Sequence, residues 1–189
     1  MVANTAHSFA RDRGFSMLEV LITILIAALG LLGMVGMQSR VQVSEVESYQ
    51  RAQALMLLND MANRVATNRT VAATYATSSP LGSGMTCPTA IATVQQNDVR
   101  EWCLALQGAA EVASSTKRGA VIGGRGCVAS LGNNEYLVTV AWQGLVPISA
   151  PPSSVACGVN QYNGATGSLC ANDLCRRVVT AVVRIAPLA

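Results

Sequence analysis

Apolar and polar positions change their spacing twice along this chain, and each change marks an element. From Phe15 to Met37 the sequence reads FSMLEVLITILIAALGLLGMVGM, 23 residues broken by a single charge, Glu19. As an α-helix this run is about 34 Å long, enough to cross a hydrocarbon core of about 30 Å. From Gln38 to Asn68 the apolar positions thin to a stripe. Val41, Val46, Ala54, Leu55, Leu58, Met61, Ala62 and Val65 recur at helical spacing, while Ser44, Glu47, Ser48, Arg51, Asp60 and Arg64 fall mainly off it. No Pro intervenes before Pro80, so the two stretches read as one helix of about 54 residues, on the order of 80 Å. No heptad repeat is sustained, and the second half is therefore expected to pack on a globular head.

Beyond Val71 the helical period fades, and Thr77–Gly84 is rich in turn residues. Val99–Leu106 fits a short helix or an apolar strand equally. Two β-rich runs follow: Glu135–Gln143, opened by the turn Gly132-Asn133-Asn134, and Arg176–Ile185. Alternation sets Tyr136, Val138, Val140 and Trp142 on one strand face, which favours burial of Trp142; Arg176-Arg177 reads as a solvated strand start. A Pro- and Gly-rich loop spans Val146–Asn172. The outline is α+β: a long N-terminal helix packed on a small antiparallel sheet with cysteine-clipped loops. Its expected divisions are a leader over 1–14, a membrane helix over 15–37, its amphipathic continuation over 38–70 and a head over 71–189.

Composition sharpens the compartment. Hydrophobic residues make up 51% and charged ones 12%, and the apolar excess is concentrated in the first helix. Arg11 and Arg13 precede that helix, against Asp12; basic flanks stay cytoplasmic, so the chain after Met37 is expected outside the cytoplasm. The apolar run is longer than that of an ordinary secretory signal, and no small-residue cleavage site closes it. The net charge of +3 is spread along the chain, with no basic stripe interleaved with aromatics, so no nucleic-acid partner is expected.

Six cysteines, at 87, 103, 127, 157, 170 and 175, all follow the membrane run. An even number in an oxidising space reads as up to three disulfides, with fifteen connectivities open. Local loop closure favours Cys87 with Cys103, and Cys157 with Cys170 or Cys175. No CxxC pair is present, which argues against a metal or redox centre. The sole histidine, His7, lies in the leader, leaving no triad and no His ligand beyond it. Asp98, Glu101, Glu111, Glu135 and Asp173 are too scattered to suggest a dyad. Gly123-Gly124-Arg125-Gly126 lacks the spacing of a phosphate loop and reads as a turn. Asn68-Arg69-Thr70 matches the glycosylation pattern only as a three-residue motif. No enzyme activity, cofactor or metal is expected.

A carboxylate within an apolar helix is costly and marks a function that needs a partner. Glu19 lies four residues after Phe15. Cleavage between Gly14 and Phe15 would free an amine able to pair with Glu19 of a neighbouring subunit, offsetting the cost of burying both charges. Gly14-Phe15-Ser16-Met17-Leu18-Glu19-Val20, after a short basic leader and before an apolar helix, resembles the class III signal of type IV pilins and pseudopilins. The resemblance implies prepilin-peptidase cleavage after Gly14, N-methylation of Phe15 and an assembly role for Glu19. Ser16-Met17 departs mildly from the commoner Thr-Leu.

Looser motifs, Leu18–Ile22, Ala52–Leu55, Val138–Gly144 and Arg176–Val179, are similar to those of PilV-type minor pilins, the type IV pilus modification proteins. That likeness implies a subunit that assembles in the inner membrane with other minor pilins and the major pilin. Such a subunit initiates the pilus, sits at or near its tip, presents a tip adhesin and supports adhesion and twitching motility, with its head in the periplasm and then on the pilus. Two alternatives stay open: a minor pseudopilin of a type II secretion system, and a single-pass periplasmic binding domain.

Overall fold

The computed structural model describes residues 15–108, 112–113, 116–117 and 121–186. The expected leader over 1–14, with Gly14, and the acidic Glu111 lie outside these. In chain order come helix α1 (Met17–Thr67), a 3-10 helix (Arg69–Tyr75), β1 (Leu81–Gly82), α2 (Val94–Leu106), β2 (Val112–Ala113), β3 (Thr116–Lys117), β4 (Arg125–Gly132), β5 (Glu135–Gln143) and β6 (Arg176–Arg184). The chain is α+β, with a long apolar N-terminal helix, a four-stranded antiparallel sheet and three disulfides.

α1 is a single helical element of 51 residues. The chain divides into two units after Gln42. In the first, every described residue from Phe15 to Gln42 is exposed. In the second, Gln50, Ala54, Leu58, Met61 and Val65 are buried. Their spacing of four, four, three and four keeps them on one line of the helix. This stripe is narrower than the predicted one: Val41, Val46 and Leu55 are exposed, because they lie to either side of that line. Glu47, expected off the stripe, falls on it three residues before Gln50 and is half-buried.

The sheet order is β1-β4-β5-β6. Tyr136, Val138, Val140 and Trp142 of β5 share the face that receives α1, joined by Val128 of β4 and Val183 of β6. Trp142 is buried, as alternation predicts. The β4–β5 hairpin turns at Asn133-Asn134, both at positive φ, the backbone that matches a two-residue turn to strand twist. β4 was not legible as a strand, since RGCVASLG has few residues of high β-propensity.

Helix wins over strand at 94–106 because of a capping box. Thr93 Oγ1 accepts from the Gln96 N–H at 3.2 Å, and Gln96 Oε1 accepts from the Thr93 N–H at 3.3 Å. The helix drives Trp102 and Leu106 into the core, and Trp102 Nε1 donates to the Leu57 carbonyl at 2.9 Å. Gly126 of β4 makes room for them: a Cβ there would clash with Trp102 Cη2.

Around Ala141 and the start of β6 the opposite sheet face is covered by loop. Ala141 packs with Cys157 and Tyr162, flanked by half-buried Cys127 and Val178. Cys87 is bonded to Cys103, Cys127 to Cys157 and Cys170 to Cys175. The pairing of Cys157 with Cys170 or Cys175 expected from local closure is therefore corrected. Strand alternation turns Cys127 toward the face that the loop covers, which brings it to Cys157 across 30 residues.

Gly126→Ala should lower stability by about 1–3 kcal/mol through overpacking against Trp102. Thermal unfolding of the detergent-solubilised chain reads this directly, and an unchanged melting temperature would show that Trp102 can give way.

Candidate functional site

The predicted processing segment opens the first unit. Phe15, 83% exposed, and Ser16 precede the first turn of α1. Ser16 caps the helix: its Oγ accepts from the Glu19 N–H at 3.2 Å, and its carbonyl accepts from the same N–H at 3.0 Å. This cap was missed in the sequence, although Ser-x-x-Glu before an apolar run is its signature. Glu19 sits in the first turn, where the helix dipole favours a negative charge. It makes no ion pair among the described residues. Thr23 satisfies its hydroxyl within the helix by donating to the Val20 carbonyl at 2.8 Å. Gly30, Gly33 and Gly36 have open space where a Cβ would project. The helix is long and apolar enough to cross a membrane.

In the head, charged residues are locked into structure. Arg64 lies 3.0 Å from Asp60, 2.6 Å from Asp98 and 3.0 Å from Glu101. The Tyr75 hydroxyl donates to Asp98 Oδ2, and Asn68 Nδ2 donates to Asp98 at 3.2 Å and to the Tyr75 oxygen at 2.7 Å. Burial works against the Arg64 charge, yet its hydrogen bonds to the three carboxylates outweigh this and raise its pKa. Burial, reinforced by Asp98, pushes the Tyr75 phenol up. The hydrogen bond from Arg64, followed by that from Asn97, lowers Glu101. Asn68 of the glycosylation-like motif is engaged in this network.

Arg176 and Arg177 correct a second expectation. They are 2% and 9% exposed, because successive strand residues point to opposite faces and both faces here are covered. Arg176 donates to the Val155 and Cys157 carbonyls at 2.7 and 3.0 Å and lies 3.3 Å from Asp173. Arg177 pairs with Glu47 at 3.3 Å and donates to the Val146 carbonyl at 2.6 Å. Glu135 pairs with Arg184 at 2.7 Å. Trp102 is fully buried. Gly123–Gly126 is a turn running into β4, with Arg125 stacked 5.0 Å over the Tyr162 ring. Among the described residues no group of three or more His, Cys, Asp or Glu is placed to hold a metal.

Residues 9–35 match the family described as the prokaryotic N-terminal methylation motif. The match supports a type IV pilin-like chain with a class III signal. It brackets Gly14, Phe15 and Glu19 and ends within the apolar half of α1. Such a signal implies processing by a prepilin peptidase and assembly with pilins in a membrane system, and pilin-like chains are generally structural. No curated protein and no solved structure matches the chain.

Two outcomes test the head network. Asp98→Ala should cost about 3 kcal/mol, since it strips Tyr75 and Asn68 of a buried acceptor and Arg64 of one partner. Glu101 has a folded pKa below its ordinary 4.5, so its contribution is present above that value and fades as pH falls through the lowered one. Wild type should therefore melt above Glu101→Gln near neutral pH, and the gap should close in acid. A gap unchanged at strongly acid pH would show that the carboxylate charge is not responsible.

Proposed function

We propose that this chain is a minor pilin of the type IV pilus, of the PilV type. It starts fibre assembly in the inner membrane and takes a place at or near the tip with other minor pilins and the major pilin. One observation carries the reading: the methylation motif is continuous with a helix that is apolar on every side as far as Met37 and carries one carboxylate in its opening turn. In this reading prepilin peptidase cuts after Gly14 and Phe15 becomes the N-methylated terminus. Its charged amine then meets Glu19 of the adjacent subunit. The energetic sense is that an apolar spine of this length needs either lipid or other spines around it, and pairing of the two charges removes the largest obstacle to moving from one to the other.

The disulfide-clipped head, in the periplasm before assembly, supplies the partner-specific surface that helps present a tip adhesin for adhesion and twitching motility. No bond-making step by this chain is required.

The decisive measurement is the intact mass of the membrane-extracted protein. Loss of Met1–Gly14 with gain of one methyl group is expected; a retained leader would overturn the reading. Glu19→Ala should be processed normally yet give cells with few pili, and normal pilus numbers would sink the assembly role of the carboxylate.

A further inference from the structure

The sheet ends at β6, and among the described residues no loop backbone hydrogen-bonds to the outer edge over residues 177–184. Open edges of this length are usually spoiled by a Pro, a charge, a bulge or a covering segment. Between Val178 and Val183 the sequence VVTAVV has no charge and no Pro. Pairing with β5 runs without a register break from Arg176 to Arg184. Val182 is 48% exposed beside this edge.

At the start of β6 there is a groove of about 500 Å³, lined by Trp142, Arg177, Val178, the loop over residues 148–152 and one flank of α1. That flank is Ser44, Glu47, Ser48 and Arg51, with Glu47 already held by Arg177, and the spacing of Ser44, Ser48 and Arg51 continues to exposed Leu55. Arg176 and Arg177 are already neutralised by Asp173 and Glu47. Arg51 is exposed and has no ion pair or hydrogen bond among the described residues.

We propose that the outer edge of β6 and this groove receive an added β-strand from a different polypeptide. The strand carries a carboxylate that meets Arg51 and an apolar residue that covers Leu55. Main-chain hydrogen bonds to β6 supply the affinity, and the two side chains supply the choice of partner. A second copy of this chain does not fit. β6 contains no Asp or Glu, and β1 at the other end of the sheet is a two-residue Leu-Gly strand. Full antiparallel overlap of two β6 strands would also set Arg176 opposite Arg184, and like charges so placed are destabilising. The inference deepens the assembly reading and rests on it for the source of the strand, a neighbouring subunit of the same fibre.

The test uses the full chain in detergent and two labelled synthetic peptides, a Thr/Val strand with one central Glu and its Lys twin. The Glu peptide should bind and slow amide exchange along β6, with the Lys twin about fivefold weaker. Arg51→Glu should reverse the preference. No binding, equal binding of the twins, or protection confined to other elements would overturn the proposal. So would concentration-dependent protection of β6 without peptide, which would assign the edge to a second copy. Leader removal is read separately by mass, so failure of the docking edge and failure of the pilin reading remain distinct.

Discussion

Burial of one line of side chains on α1 against the β4–β5–β6 face is the interaction on which the head depends. Ala54, Leu58, Met61 and Val65 meet Val128, Tyr136, Val138 and Val140 in one core, and apolar contact of this kind has no direction of its own. Polar clamps supply the direction. Glu47 pairs with Arg177 at the start of the stripe. Near its end, Arg64 draws in Asp98 and Glu101 of α2. Partly buried pairs of this kind add little net stability but are costly to break, so they define how the helix is seated more than how tightly.

The second sheet face explains the Cys127–Cys157 bond. With few aromatics in the chain, the loop over that face contributes Cys157 and Tyr162 and little else to the core. Covalent closure reduces the entropy of the unfolded loop and makes such thin packing sufficient. The Cys127–Cys157 bond fastens the loop to β4, and Arg176 reaches the Val155 and Cys157 carbonyls from β6. Tyr162 completes the fastening by donating to the Gly123 carbonyl at 2.9 Å.

A single helix thus serves two surroundings. Residues 17–37 satisfy their backbone internally and present apolar side chains on every side, as a segment in lipid or among other spines must. The polar exceptions are managed locally: Ser16 caps the first turn, Thr23 bonds back to Val20 and Glu19 occupies the turn where the dipole favours it. Of these, only Glu19 is left with a charge that no residue of the same helix neutralises.

The long helix, the α+β order, the hairpin turn and the β5 core face were legible in the sequence, because each rests on local periodicity or turn chemistry that neighbours cannot easily override. The N-terminal motif was legible for the same reason: its chemistry lies within seven consecutive residues. Arg176 and Arg177 were misread, β4 was missed and Cys127–Cys157 was not foreseen, since each depends on what covers a strand face. Two adjacent arginines look alike in a sequence. Only a sheet covered on both sides sends one to Glu47 and the other to the loop carbonyls. What the sequence determined by itself was the long helix, the strands β5 and β6 and the signal at the head of the chain. The tertiary structure alone decided which charges are paired, which cysteines meet and which strands are neighbours in the sheet, because those are contacts between residues far apart in the chain.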